Sequence, residues 1–244
     1  MEDINRVKSI SLWIFIVPFV AVNTCLILIT QFHSLFPNQE NVILNTIPYI
    51  DGGTSISRTA RVFPTYWIFK PAMFLTSYLL IKYWIWNKNI INYFHSEAKH
   101  INKIIFFGVG SAVLLTIHSI FLGVKFDYDL YKLFRRVVML LFIIFEIVAQ
   151  AYLVFTLYKM KDKIQNYINL KFLIAKRILV TLLIIVSIIS IPIISFEGNK
   201  AFKHALEWDY FLGVIFFYCL TFFMWKKTNS YSTLLLKLYI LIYF

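Results

Sequence analysis

Apolar runs of close to 20 residues recur six times along this chain, and that recurrence decides what it can fold into. They cover residues 10–29, 66–86, 104–124, 137–158, 178–196 and 210–225. A hydrocarbon core about 30 Å thick demands roughly 20 helical residues per crossing. Backbone N–H and C=O groups have no water to bond in lipid, so a spanning segment is a helix or part of a closed barrel. The runs lack the period-two alternation of barrel strands. The expected fold is therefore all-α: a polytopic integral membrane protein, a bundle of six transmembrane helices forming one domain over residues 1–244. Of the 244 residues, 60% are hydrophobic and 15% charged, too apolar for one water-soluble core. The linkers are too short for a separate soluble domain.

The net charge of +12 raises the question of nucleic acid. Nucleic-acid binding needs basic residues gathered on one water-facing surface, whereas here they flank the apolar runs, so no nucleic-acid partner is expected. They read as topology signals. Fourteen Lys and Arg fall in the head, the tail and the second and fourth connections, against eight in the other three connections. Positive charge stays on the cytoplasmic side, which directs both termini there. The first run follows a short charged head without a small-residue cleavage site, so it reads as a retained span. The segment 232–244 is apolar but too short to cross, and suits the membrane interface. Cys25 and Cys219 lie at span depth and suggest packing residues rather than a disulfide framework.

Ionisable groups at span depth are costly and mark candidate sites. His118, Glu146 and Gln150 form such an intramembrane polar set, with Glu146 and Gln150 one turn apart. Either they orient helices through hydrogen bonds or they serve a polar pocket or proton relay. His118 has no second His on a facing span, which excludes a transmembrane haem pair, and no cofactor or metal cluster is expected.

The connection before the second span is richer in chemistry. Asp51, Gly52 and Gly53 make a turn, and Arg58 and Arg61 follow. With Lys70 just inside the span, they suit an anionic lipid headgroup, since glycine-turn amides and guanidinium groups both bind phosphate or carboxylate. Ahead of the last span, His204 and Glu207 stand three apart and share a face if that segment is helical. That pair is a candidate for general acid/base work, with Ser55 or Ser57 as nucleophile. No nucleophile and base adjoin in sequence, so a non-catalytic role is favoured.

Two segments resemble a known family. The stretch Pro48-Tyr49-Ile50-Asp51-Gly52-Gly53-Thr54, with Arg58 and Pro64, resembles a loop of the Frag/DRAM/Sfk group of six-span proteins. The run His204-Ala-Leu-Glu-Trp208 resembles the Glu-Trp motif before that group's final helix. Asp51 stands where the family more often has Ser, and Ser57–Arg61 replaces a Pro-rich stretch, which leaves the subfamily open. Members include autophagy modulators of lysosomal membranes, a Golgi protein needed for reacylating GPI anchors, and plasma-membrane proteins that affect lipid organisation. The resemblance implies a lipid-handling or regulatory adaptor of endomembranes or plasma membrane. An acyl-transfer enzyme of GPI-anchor remodelling is the alternative, and a small proton-coupled carrier using Glu146, Gln150 and His118 the second alternative. Expected partners are membrane lipids and other membrane proteins, with oligomeric state open.

Overall fold

The computed structural model describes residues 2–44, 46–95, 100–124, 128–195 and 198–227. The tail segment 232–244, Lys125, Asp127 and Glu197 lie outside the described residues.

Six long helices carry the chain: α1 (Glu2–Gln31), α4 (Tyr66–Phe94), α5 (Ile101–Phe121), α6 (Asp129–Lys159), α8 (Leu170–Ser195) and α9 (Lys200–Met224). Between them lie the short helices α2 (Pro48–Asp51), α3 (Ile56–Ala60) and α7 (Lys161–Ile164). No strand occurs among the described residues; Ile168 and Trp225 form one isolated bridge. Each long helix packs against two others in a closed ring, α1–α4–α5–α6–α8–α9 and back to α1.

Five of the six, α1, α5, α6, α8 and α9, are long and apolar enough to cross a membrane. The described residues form an all-helical bundle compatible with a multi-pass membrane protein. Helix α4 is long enough but carries Lys70, Lys82 and Lys88, which lower its hydropathy. Large apolar side chains stand on the outside of the ring, among them Trp13, Ile27, Phe106, Ile188 and Phe223, each at least half exposed. A water-soluble surface does not carry so many, and lipid is the solvent that suits them.

The helices run past the apolar stretches at most ends, because hydropathy finds only the lipid-depth part of each. Helix α1 takes in the charged head, α6 starts eight residues before residue 137, and α8 begins at Leu170. Lys176 and Arg177, which the sequence puts in a connection, therefore belong to α8. Helix α5 stops at Phe121, ahead of the expected 124, because Gly123 takes a positive φ of 81° and turns the chain. A Cβ there would lie 2.8 Å from the Arg61 carbonyl oxygen.

The bundle has two distinguishable ends. At one, the start of α1 meets the end of α9: Lys8 Nζ donates to the carbonyls of Phe222 (2.7 Å) and Trp225 (2.6 Å). The connection after α7 joins them through Asn169 N–H to Met224 O and Lys226 N–H to Tyr167 O. At the other, the long α1–α4 connection folds over the start of α9. We call these the terminal end and the loop end. Cys25 and Cys219 are both free thiols.

Candidate functional site

The loop end is assembled by α9. The segment from Lys200 is helical from the outset, so His204, Glu207 and Trp208 project together from its first two turns. Each holds a different part of the connection. His204 Nδ1 bonds the Gly52 carbonyl at 3.0 Å. Trp208 Nε1–H donates to the Thr54 carbonyl at 2.8 Å, with Trp208 and Thr54 fully buried. The Glu207 carboxylate accepts the N–H groups of Ser57 and Ile56 at the start of α3. The Tyr49 ring meets Trp208 edge-on at 5.0 Å.

Glycine makes this docking possible. Gly52 sits in the left-handed region at φ 61°, and a Cβ on it would lie 1.7 Å from the Ala201 carbonyl oxygen. Asp51 completes the turn by accepting from Thr46 Oγ1 (2.6 Å), Ile47 N–H (2.8 Å) and Gly53 N–H (2.8 Å). The Thr46 hydroxyl, followed by those two amides, holds the Asp51 carboxyl below the ordinary range. Ser55 accepts the Arg58 N–H at 3.2 Å and caps α3, and its hydroxyl lies 3.2 Å from that of Ser57.

Asp51 and Glu207 are thus occupied by main-chain amides and, for Asp51, the Thr46 hydroxyl, while the three arginines here are not occupied by acids. Among the described residues, Arg58, Arg61 and Arg135 have no carboxylate within ion-pair distance. They lie near one another: partial desolvation, then the like charges of Arg135 and Arg58, pull the Arg61 guanidinium below its usual range. The Nε of Arg135 is buried without a partner among the described residues. Arg58 and Lys200 are also close enough to act on the charge of His204. Concentrated, uncompensated positive charge of this kind attracts an anion.

The structure brings Asp51, Gly52, Gly53, Ser55, Ser57, Arg58, Arg61, His204 and Glu207 to one end of the bundle. Lys70 lies at the same end, where its ammonium donates to the Ile120 carbonyl at 3.3 Å near the end of α5. His204 does not bond Glu207 or a serine hydroxyl, since its Nδ1 faces Gly52 and the Glu207 carboxylate faces α3.

The intramembrane set divides. Glu146 is 1% exposed and accepts from Ser111 Oγ (2.6 Å), Gln150 Nε2 (3.0 Å) and the Tyr218 hydroxyl. Gln150 also donates to the Val214 carbonyl at 3.2 Å. His118 stands apart, two turns beyond Ser111 on α5, where it feels the charge of Arg135. Sequence reasoning missed Arg135 as a member of the arginine cluster, and Ser111, Tyr218, Tyr83, Thr221 and Lys176 in the interior. The signal for Lys176 was the apolar helical pattern that already runs from Leu170.

No family model, curated protein or solved structure matches the chain.

Proposed function

We propose that the chain is a six-span, lipid-handling membrane protein of the Frag/DRAM/Sfk type, in endomembranes or plasma membrane, whose loop end engages an anionic lipid headgroup. The observation that carries this reading is the cluster of Arg58, Arg61 and Arg135, without a carboxylate partner among the described residues. Two further points support it. The two sequence segments that resemble the family are bonded to each other through His204–Gly52 and Trp208–Thr54. Helix α4 packs between α1 and α5 inside the ring, where a sixth span belongs. The excess of positive charge at the terminal end supports a cytoplasmic terminal end, with the loop end on the opposite face.

The test is lipid retention by the full chain in nanodiscs of phosphatidylcholine doped with phosphatidylserine, read by native mass spectrometry. The wild type holds the anionic lipid preferentially. Arg58→Gln with Arg61→Gln loses that preference, and added salt weakens it; an unchanged preference in the double variant refutes the reading.

Acyl transfer on a lipid anchor is the second reading. It is favoured by one observation: Ser55, Ser57, His204 and Glu207 meet at the loop end. Cells lacking the protein, rescued with wild type or His204→Ala, separate the two. An acyl profile restored by wild type alone favours transfer, and one restored by both leaves the headgroup reading in place.

A further inference from the structure

The ring of helices closes around a second polar assembly that the loop end does not use. Lys176 on α8 is 0% exposed. Its Nζ donates to Thr221 Oγ1 at 2.7 Å and lies 3.9 Å from the centroid of the Phe217 ring. Among the described residues no carboxylate lies within ion-pair distance of it. The Thr221 hydroxyl is 3.3 Å from that of Tyr83. The Tyr83 ring meets the Tyr218 ring edge-on at 4.9 Å, and the Tyr218 hydroxyl donates to Glu146. An amine and a carboxyl, both buried in the centre of the bundle, thus stand at two ends of a row of three hydroxyls.

Position along the bundle gives the row a direction. Lys176 is six residues past Leu170, roughly 9 Å from the terminal-end start of α8. Glu146 is 13 residues before Lys159, roughly 20 Å from the same end of α6. The row therefore runs inward from the terminal end and stops at a carboxyl near mid-bundle. Beside the tyrosine pair, two buried carbonyl oxygens have no partner among the described residues: Gln150 Oε1, whose amide nitrogen bonds Glu146, and Asn87 Oδ1, one turn from Tyr83. Each would be satisfied by a water that reached the tyrosine pair.

A packing network alone has no need of a lysine here. Burying an ionisable amine costs more than burying an apolar side chain of the same size, and such groups in membrane interiors mark ion and proton paths. Three donors converge on Glu146, which suits the ionised carboxylate, and the face of Phe217 suits the ammonium. Neither has a salt-bridge partner among the described residues, and the hydroxyl row is what joins them.

We propose that Lys176 and Glu146 form an intramembrane proton site, reached from the terminal end, in which a proton passes between them along Thr221, Tyr83 and Tyr218. In the transfer an N–H bond of the Lys176 ammonium breaks. Each hydroxyl accepts a proton on its oxygen and releases its own, the Thr221 O–H turning from the Phe217 carbonyl, to which it donates at 2.9 Å, toward Tyr83, with one water bridging the tyrosines. The last O–H bond forms on Glu146, and the opposite charges become a neutral amine and a neutral acid. The titratable groups of the row are Tyr83 on α4, Glu146 on α6, Lys176 on α8 and Tyr218 on α9; from α5 it meets Ser111, and from α1 Lys8 bonds the Phe222 and Trp225 carbonyls just past Thr221. The site is independent of the headgroup reading.

The test is infrared difference spectroscopy of the full chain in nanodiscs, across pH and on transfer to D2O. In wild type a protonated-carboxyl band appears as pH falls, and it is absent in Glu146→Gln. In Lys176→Met, which removes the compensating cation, the band persists to higher pH. In Tyr83→Phe the band remains but its deuterium shift is about tenfold slower, equivalent to about 1.4 kcal/mol of added barrier. A wild type without the band, a band unaffected by Glu146→Gln, or titration and exchange unchanged in both Lys176→Met and Tyr83→Phe overturns the proposal. Should Glu146→Gln fail to fold, Tyr218→Phe serves: loss of one donor moves the frequency of a Glu146 band, and an unmoved band overturns the proposal equally.

Discussion

Gly52 approaches Ala201 so closely that only a residue without a side chain fits between α2 and the first turn of α9. The contact is main chain against main chain, so neither side can move aside without undocking the connection. Gly52→Ala combines a left-handed backbone with this clash, and the two together are expected to cost roughly 2–4 kcal/mol. Gly198 also has a positive φ, 91°, but meets nothing within 4 Å. Gly198→Ala is expected to cost only the conformational part, about 1 kcal/mol. Thermal unfolding of the two variants, with limited proteolysis of the 32–65 connection, separates docking from backbone strain.

Acid reaches the same turn through Asp51. Its carboxyl is held below the ordinary range by the Thr46 hydroxyl and then the Gly53 and Ile47 amides. A depressed folded value means that the stabilisation is fully present above the unfolded carboxylate range, near pH 4, and is lost as pH falls through the folded value. The connection should therefore become more protease-sensitive below about pH 4. Asp51→Asn should be more sensitive at neutral pH and show a flatter acid dependence. The residue is exposed, so the effect is modest and local.

Trp208 holds the centre of the dock. Removing its N–H leaves the buried Thr54 carbonyl without its partner, while Trp208→Phe retains part of the ring contact with Tyr49. An unsatisfied buried carbonyl costs about 1–3 kcal/mol. Trp208→Phe should lower the unfolding midpoint and loosen the loop end, read by hydrogen exchange at residues 52–58. Exchange should stay unchanged at the terminal end, where Lys8 ties α1 to α9.

How far the sequence reaches can be argued from these residues. Hydropathy reports burial in lipid depth, so it found the cores of all six long helices and missed their ends, where α6 extends through Lys132, Arg135 and Arg136. The loop-end residues were readable because glycine pairs, arginines and a His/Glu spacing each carry local chemistry. That they meet was not readable, since Gly52 and His204 are 152 positions apart and only the ring brings them together. Lys176 was read as a solvated topology signal because charge ordinarily marks a membrane boundary. Its burial depends on Thr221 and Phe217, which no local pattern connects to it.

Gly108 on α5 packs directly against the Trp84 indole on α4. A Cβ on Gly108 would lie 2.3 Å from Trp84 Cδ2 and 2.5 Å from Cγ, and the indole is fully buried. Small residues at helix interfaces in membranes let backbones approach, and dispersion rather than hydrophobic burial then holds the pair. The next interface residues on this face, Ser111 and Ala112, are also small and buried. The indole is packed edge-on against Tyr83 at 5.1 Å, so it cannot turn without displacing a member of the interior row. Gly108→Ala is therefore expected to cost about 1–3 kcal/mol through overpacking. It should also disturb the Tyr83 hydroxyl, while Gly108→Ala with Trp84→Phe recovers most of the loss. Thermal unfolding of the three variants in one lipid checks this: additive losses in the double variant would mean that the two residues do not share a contact.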